Sequence, residues 1–195
     1  MGRRIPGDWF DGLVPDNVVL EEGSFLETAH SVSRLRSRAA IGLRLRAGAA
    51  AYTGTLFDVG PEGTVDIGRY ALLNSVRILC DGPLEIGDHA LLSWGVLLMD
   101  SYREPLGFAA RHHRHQERTA GRPPSFRPQV RPIRIGPNTW IGFDSCILPG
   151  VTVGQGSIVG ARSVVIESVP PYCVVAGNPA RVVRQLDPPG ASHVE

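Results

Sequence analysis

A repeat of six residues runs through the carboxy-terminal part of the chain. Every sixth position from residue 135 is aliphatic: Ile135, Ile141, Ile147, Val153, Val159 and Val165. The positions four residues further along each hexad are small or β-branched: Thr139, Ser145, Val151, Ser157, Ser163 and Val169. An α-helix repeats about every 3.6 residues and a half-buried strand every 2 residues, so neither explains a period of six.

The same period occurs upstream, although less regularly toward the amino terminus: Ile86, Leu92 and Leu98, then Ile67, Leu73 and Leu79. Glycine follows the aliphatic residue at positions 136, 142, 154 and 160, where a tight corner leaves little room for a side chain. The pattern predicts a solenoid of short parallel strands in which three hexads form one triangular coil. A single coil cannot bury its aliphatic residues, so stacked coils must supply the core. A β-sandwich is disfavoured because its turns are unevenly spaced.

Composition limits the classes of function. A chain of 195 residues that is 43% hydrophobic suits one domain with a core of its own. No apolar stretch approaches the roughly 20 residues that cross a bilayer, and the first residues lack an apolar signal region, so we expect neither secretion nor a membrane span. A net charge of +1 gives no overall attraction for nucleic acid or anionic membranes.

The basic residues and the cysteines exclude further chemistry. All 20 residues counted as Lys+Arg are arginines, so Schiff-base and lysine-base catalysis are excluded. The cysteines, Cys80, Cys146 and Cys173, are isolated and odd in number. They favour a reducing cytoplasm and core positions over a zinc ribbon or a disulfide framework.

Three motifs carry a resemblance to a known family: IGPNTWIG at 135–142, LPGVTVG at 148–154 and AGNPAR at 176–181. They resemble the hexapeptide-repeat acyltransferases, most of all the branch that acetylates sugars and small xenobiotics from acetyl-CoA. The resemblance covers about residues 20–186. It implies an all-β, left-handed parallel β-helix, acetyl-CoA or another acyl-CoA as co-substrate, no metal, and a homotrimer whose active sites lie between neighbouring prisms.

The register predicts the organisation of the chain. An irregular segment at 1–19, with Trp9 and Phe10 as docking anchors, precedes coils at 20–103. A loop at 104–134 leaves the prism, and the coils resume at 135–173. A capping segment at 174–187 contains a short helix, and 188–195 is a frayed tail.

The extruded loop is 31 residues long and strongly basic, with seven arginines and two glutamates. It also holds His112, His113 and His115. Loops of this length in a compact domain are usually functional or disordered. Two interpretations stay open: a solvated basic loop that packs on acidic groups of an adjacent subunit, or a phosphate-binding and catalytic loop that reaches into the neighbour's cleft.

Acyl transfer near neutral pH needs a base, whose contribution is typically about 10²- to 10⁴-fold. Similar family members place a histidine just before the extruded loop, but alignment without gaps puts Arg103 at that position. Arginine stays protonated and cannot be the base. The three loop histidines are the candidates, with His113 favoured. Tyr102 and Asp100 are closer in sequence but poorly matched in pKa, and Arg103 would stabilise charge or anchor an anionic acceptor.

The resemblance also suggests acceptor and cofactor contacts. An acceptor-binding aspartate falls on Asp81, which could equally be a turn residue, and Asn74 is a second acceptor candidate. Trp140 matches a tryptophan that lines the pantetheine tunnel, and Ala161 matches an alanine whose backbone meets the pantetheine arm. The usual glycine after that alanine is Arg162.

The phosphate contacts of the family are altered here. The Thr-Lys pair that commonly meets the CoA phosphates is Ile166-Glu167 in this chain. A carboxylate there would repel a pyrophosphate, so CoA would have to dock through Arg162, Arg181 and Arg184.

Three functions therefore remain. The first is a CoA-dependent acyltransferase that acts on a hydroxyl or amine of a sugar or small molecule. The second is a divergent β-helix that has lost acetyl transfer and acts as a binding protein or in another reaction. The third, a metal enzyme similar to the γ-class carbonic anhydrases, is disfavoured because only His89 lies on a well-formed coil.

Overall fold

The computed structural model describes residues 2–190, so most of the tail expected to fray lies outside the described residues. The chain winds as a prism with three flat faces, each a sheet of short strands from successive coils. Neighbouring strands in each face are parallel, except for one antiparallel pair at the carboxy-terminal end.

The first face is a six-stranded sheet whose order follows the chain. Its strands are β1 (Val18–Leu20), β3 (Leu43–Leu45), β6 (Thr64–Ile67), β9 (Pro83–Ile86), β12 (Ile133–Ile135) and β15 (Thr152–Val153). Its outward side chains are largely polar and form ion pairs between coils, as Arg46 does with Asp66 at 2.8 Å.

The second face is an eight-stranded sheet. Its strands are β2 (Phe25–Leu26), β4 (Ala50–Ala51), β7 (Leu72–Leu73), β10 (Leu91–Leu92), β13 (Trp140–Ile141), β16 (Ile158–Val159), β18 (Cys173–Gly177) and β19 (Ala180–Gln185). Its outward side is apolar, and Phe25, Leu72 and Trp140 are exposed on it.

The third face is a five-stranded sheet. Its strands are β5 (Leu56–Val59), β8 (Arg77–Cys80), β11 (Leu97–Met99), β14 (Cys146–Ile147) and β17 (Val164–Val165). Leu35 extends this face by one row, through a parallel bridge to Val59. A 3₁₀ turn (Ala29–Val32) precedes that row.

The six-residue period is confirmed as the origin of the core. All six aliphatic residues of the series from Ile135 to Val165 are at most 2% exposed. Partners in adjacent coils are 18 residues apart, as in Ile135 with Val153 and Ile141 with Val159, so three hexads make one coil. The all-β parallel β-helix predicted from the sequence is the observed fold.

Close stacking of coils explains the corner glycines. A Cβ on Gly136 would lie 2.6 Å from the backbone nitrogen of Gln155, and one on Gly142 would lie 2.6 Å from that of Ala161. Real Cβ atoms do not approach backbone so closely, so glycine is required wherever the next coil passes this near. The buried hydroxyls of the series are satisfied: Ser145 and Ser157 donate to carbonyl oxygens of Gly160 and Pro170.

Two expectations are wrong. The hexad pattern predicts an inward Leu79, but the buried residues of its strand are Ile78 and Cys80, since Ile78 follows Leu73 by five positions instead of six. The short helix expected in the capping segment is strand β19, which pairs antiparallel with β18. The β-branched pair Val182-Val183 suits a strand, and pairing covers the open edge of the last coil.

Residues 2–190 contain one α-helix, α1 (Phe108–Thr119), and it lies in the insertion that the sequence predicts to be a loop. The twelve residues include no glycine or proline, whereas Gly107 and Gly121 flank them. The coils resume at Ile133, two residues before the expected boundary.

The amino-terminal segment caps the first coil. Asp8 accepts hydrogen bonds from Thr28 Oγ1 at 2.8 Å and from the Ala29 nitrogen at 2.6 Å, which ties this segment to the 3₁₀ turn. Phe10 packs against the core, while Trp9 lies largely exposed against the ring of His30. Within residues 2–190, no helix has the length and apolar character needed to cross a membrane.

Candidate functional site

Arg103 lies at the corner between the five-stranded and six-stranded sheets and binds two carboxylates. Its Nη1 donates to Asp58 Oδ1 and its Nε donates to Asp81 Oδ2, both at 2.8 Å. Its Nη2 donates to the carbonyl oxygen of Asp58 at 2.8 Å. Only 23% of the Arg103 side chain is exposed, so this arginine bridges two coils instead of projecting into solvent.

The pKa values of two carboxyl groups near Arg103, Asp58 and Asp100, are shifted in opposite directions. Burial pushes the pKa of Asp58 upward, but the hydrogen bond from Arg103 and the charges of Arg103, Arg36 and Arg34 outweigh it and hold that pKa below its usual value. Burial raises the pKa of Asp100, although the backbone N–H groups of Gly82 and Asp81 oppose the shift. Asp100 is fully buried and therefore cannot meet a substrate as a base.

Asp81 is not a free turn residue. Its Oδ2 accepts from Ser101 Oγ at 2.6 Å as well as from Arg103, and its backbone nitrogen donates to Asp100. The structure thus brings two of the predicted site residues, Asp81 and Arg103, into direct contact.

The insertion folds largely on itself. Glu104, at its base, accepts from Arg114 Nε at 3.1 Å and from Arg118 Nη2 at 2.7 Å, which holds one side of α1. The guanidinium of Arg114 also lies over the ring of Phe126 on the returning segment. The described polar contacts of α1 all fall within residues 104–126, so the helix is a unit attached to the prism through its ends.

His113 lies beside a carboxylate. Its Nε2 lies 3.3 Å from Oε1 of Glu117, one helical turn further on. Glu117 is buried under the returning segment and also accepts from the Ser125 nitrogen. The hydrogen bond from Ser125, against a smaller effect of burial, lowers the pKa of Glu117. An imidazole beside a carboxylate is a common arrangement for a general base, so His113 stays a candidate for that role.

The other histidines lie on a different side of α1. His112 and His115 line a shallow surface depression together with Gln116 and Thr119. Tyr102 is exposed just before the insertion. No described contact joins these three residues to Arg103.

The predicted cofactor residues lie along the eight-stranded sheet. The Trp140 side chain is half-exposed on its outward side, and its Nε1 donates to Ser93 Oγ at 3.1 Å. In β19, Arg184 pairs with Val174 and Arg181 pairs with Ala176, across an irregularity in β18. Cross-strand partners share a face, so both arginines project on the same outward side as Trp140.

The remaining cofactor residues lie at the corner between the eight-stranded and five-stranded sheets. Ala161 and Arg162 are exposed in the turn after β16. The Arg162 guanidinium lies over the ring of Phe143, with Nε 3.8 Å from Asp144 Oδ2. Arg181 Nη1 lies 3.9 Å from Glu167 Oε1 and so offsets the carboxylate that would repel phosphate.

The second acceptor candidate, Asn74, also lies at that corner, where its backbone nitrogen donates to Leu92. Asn74 precedes β8 and Asp81 follows it, so the two residues lie at the two corners that bound the five-stranded face. The predicted residues therefore form three separate groups in the chain: the Arg103 corner, the insertion helix, and the cofactor residues with Asn74.

Sequence reasoning missed three residues of the Arg103 corner. They are Asp58, Arg34 and Arg36: Asp58 accepts hydrogen bonds from Arg36 and Arg103 and forms an ion pair with Arg34. Asp58 and Arg103 are 45 residues apart, so only the stacking of coils brings them together. The alternation Arg34-Leu35-Arg36 was the available signal, because it places two arginines on one side of a strand-like row.

Two further observations limit the location of a site. A groove of about 670 Å³ lies on the polar six-stranded face and touches none of the predicted site residues. Within residues 2–190, no three histidine, cysteine, aspartate or glutamate side chains are grouped so that they could hold a metal ion.

Comparison with known proteins agrees with the fold and the repeats. Residues 132–167 match the family described as bacterial transferase hexapeptide (six repeats). A Staphylococcus aureus (strain COL) protein to which an acetyltransferase activity is attributed, SACOL2570, is 36% identical over 131 residues, 67% of this chain and 60% of that protein. Escherichia coli K12 galactoside O-acetyltransferase is 38% identical over 125 residues, 63% of this chain and 55% of that enzyme. The chain thus spans about 60% of the length of these relatives.

Solved structures give the same grouping. The Vibrio cholerae hexapeptide-repeat acetyltransferase VCA0836, solved with acetyl-CoA, superposes with a TM-score of 0.60 at 29% identity, over 75% of this chain and 72% of that one. A galactoside acetyltransferase in complex with CoA superposes with a TM-score of 0.52 at 33% identity, over 63% and 56% of the two chains.

Proposed function

We propose that this chain, whose carboxy-terminal coils belong to the bacterial hexapeptide transferase family, transfers an acyl group from an acyl-CoA to a hydroxyl or amine of a sugar or other small molecule. The observation that carries the proposal is the apolar outward side of the last coils, which presents Trp140 together with Arg181 and Arg184. That combination suits a ligand with a slim apolar arm and a polyphosphate end. The relatives solved with acetyl-CoA or CoA support acetyl-CoA as the donor.

A homotrimer completes the proposed site. Two adjacent faces of the prism present apolar side chains outward, Leu97, Met99 and Leu148 on one and Phe25, Leu72 and Trp140 on the other, whereas the third face is polar. Two unlike apolar faces on one protomer favour a heterologous contact, and three copies in which one face meets the other face of the next copy close a ring. The separation of the predicted residues in one protomer is then resolved across the contact.

The chemistry follows from the groups present. His113, held by Glu117, takes the proton of the acceptor hydroxyl or amine through Nδ1. The acceptor atom attacks the thioester carbonyl carbon, the carbon–sulfur bond breaks, and the CoA thiolate leaves. The thiolate recovers the proton from the imidazolium, so free CoA and the acylated acceptor are the products. Because the contacts of α1 stay within its own insertion, we place His113 over the cleft of a neighbouring protomer.

The free cysteines support a reducing, cytoplasmic location. Cys80 and Cys173 are buried and Cys146 is half-buried, with no disulfide among residues 2–190. Burial raises the pKa of Cys80, which keeps it an unreactive thiol.

Calorimetry with acetyl-CoA tests the donor site. The double variant Arg181→Gln/Arg184→Gln should weaken binding about 10-fold or more, with a smaller salt dependence than the wild type. Arg69→Gln is the matched control, because Arg69 pairs with Asp88 at a distant corner. No binding of acetyl-CoA to the wild type would instead favour the divergent β-helix that has lost acetyl transfer.

Mixed trimers test the site between protomers. With acetyl-CoA well below its wild-type Kd, His113→Ala should retain about 1% of the wild-type activity and Arg181→Gln/Arg184→Gln about 10% or less. Mixed in equal amounts after dissociation, they should regain activity, because about one quarter of the contacts then join an intact helix to an intact donor face. A protein that light scattering shows to be a monomer, or a mixture with no recovered activity, would contradict this arrangement.

A further inference from the structure

The outward side of the five-stranded face is divided into an apolar end and an arginine-rich end. Leu97, Met99 and Leu148 lie toward the carboxy-terminal coils. At the opposite end, the row of Leu35 pairs with β5, so that Arg34 and Arg36 both project outward beside Asp58. The charged end adjoins the corner of Arg103.

Asp58 is shared by three guanidinium groups. Arg34 Nε lies 2.9 Å from Asp58 Oδ2, while Arg36 Nη2 at 2.7 Å and Arg103 Nη1 at 2.8 Å both meet Oδ1. Both carboxylate oxygens are thus occupied, and the Asp58 side chain is only 10% exposed. Asp81 pairs only with Arg103, so two carboxylates face three arginines and one positive charge remains at this end.

The N–H groups of Arg34 and Arg36 that do not contact Asp58 face solvent. The Arg34 and Arg36 side chains are 63% and 56% exposed, and each uses one nitrogen on Asp58. Within residues 2–190, the two Nη atoms of Arg34 and the Nε and Nη1 atoms of Arg36 have no other acceptor. Free guanidinium edges of this kind bind a carboxylate or phosphate through paired hydrogen bonds.

The surrounding charged groups do not cancel this potential. Asp81 is paired with Arg103, and Asp100 lies fully buried beneath the turn. Arg77, on the outward side of β8, is exposed and adds positive charge to the same face. Arg38, the next outward arginine along the row, is paired with Glu62.

We propose that Arg34 and Arg36 bind the carboxylate or phosphate group of an anionic acceptor, such as a uronic acid or a sugar phosphate. This inference rests on the proposed acyl transfer only in naming the ligand as the acceptor. Arg103 serves as a positioning residue: by sharing Asp58 and holding Asp81, it fixes the carboxylate against which both outer arginines are aligned. At the position that holds the base in similar family members, this chain therefore has a residue that supports an anion site.

Direct binding measurements separate this inference from the transfer reaction. Inorganic phosphate, glucuronate, glucose 6-phosphate and neutral glucose are titrated in calorimetry without CoA. At least one anion should bind while glucose does not. The double variant Arg34→Gln/Arg36→Gln should weaken that binding about 10-fold or more, with Arg38→Gln as the matched control on the same row.

A charge-preserving variant tests the geometry. Arg34→Lys/Arg36→Lys keeps the charge but loses the planar fork, so its affinity should fall between those of the wild type and the glutamine variant. Thermal unfolding and light scattering of each variant must match the wild type. A glutamine variant that instead loses its oligomeric state would reassign the arginines to a subunit contact and overturn the proposal.

The remaining outcomes distinguish the two proposals. Arginine-dependent anion binding without any acetyl transfer would keep the anion site and reject the proposed reaction. Acetyl transfer to neutral and anionic acceptors with equal kcat/KM, unchanged in the glutamine variant, would keep the reaction and reject the anion site. Failure of all three anions to bind the wild type below about 10 mM would also reject it.

Discussion

Replacing Arg103 with methionine should destabilise the protein. Methionine preserves much of the side-chain length but removes the charge and all the hydrogen-bond donors, which leaves Asp81 without its ion pair and Asp58 with two partners in place of three. Removing one partner of a buried pair costs about 3–5 kcal/mol. Because Arg103 is 23% exposed, water partly compensates, and we expect a loss of about 2–4 kcal/mol at pH 7.

The destabilisation should depend on pH. The pKa of Asp58 is lowered in the folded state, so its ionised form contributes stability above the unfolded value of about 3.9. That contribution is lost as the pH falls through the lower, folded pKa. The difference in unfolding free energy between wild type and Arg103→Met should therefore be largest near pH 7 and should shrink below about pH 4.

Urea denaturation at one protein concentration, from pH 3 to pH 8, measures this difference. Arg38→Met is the matched control, since its exposed pair with Glu62 should contribute less than about 1 kcal/mol. A loss below about 0.5 kcal/mol for Arg103→Met, or a difference that does not change with pH, would refute the view that Arg103 holds two coils together.

Three further predictions concern other parts of the molecule. Gly142→Ala should cost about 2 kcal/mol or more in urea unfolding, because its Cβ would lie 2.6 Å from a backbone nitrogen, whereas Gly107→Ala, whose Cβ would meet only Ala110 Cβ at 4.0 Å, should cost less than about 1 kcal/mol. His113→Ala should lower kcat about 10²-fold with little change in the affinity for acetyl-CoA, and Glu117→Gln should lower kcat less; full activity of His113→Ala would exclude it as the base. Asp100→Asn should gain stability relative to the wild type as the pH rises from about 4 to 7, because the raised pKa of Asp100 makes ionisation costly in the folded state; a constant difference would show that Asp100 ionises freely there.

The fold was predictable because each hexad of the sequence forms one side of a triangular coil. Each aliphatic position maps to one inward side chain per strand, and each corner glycine maps to a close approach of the next coil. The prediction failed where the period does not apply. Residues 178–186 lie past the last coil, and whether they form a helix or a strand depended on an open sheet edge that only the folded prism provides.

The candidate site was predictable only in part, for a related reason. Motifs located Trp140, which lies where the repeats are regular, and Arg181, which lies in the AGNPAR motif just past the last coil. The insertion has a stretch without glycine or proline, which could have indicated its helix. The proximity of His113 and Glu117 could not be predicted without that helix, because it places residues i and i+4 side by side. Alignment singled out Arg103, but its structural role depends on the hydrogen bond to Asp58, a residue from two coils earlier that the alignment did not indicate.

The residue type at position 103 decides the chemistry of its corner. A histidine there could give up a proton to solvent and take one from an acceptor, whereas a guanidinium keeps its charge and must be neutralised. Asp58 and Asp81 supply that neutralisation, and Arg34 and Arg36 compete for the same Asp58 carboxylate. Asp58 therefore cannot fully neutralise Arg34 and Arg36, and their excess positive charge is exposed at the surface. The proposed transfer reaction then needs a base from elsewhere, and we propose His113 of the insertion, whose Nε2 lies 3.3 Å from Glu117 Oε1.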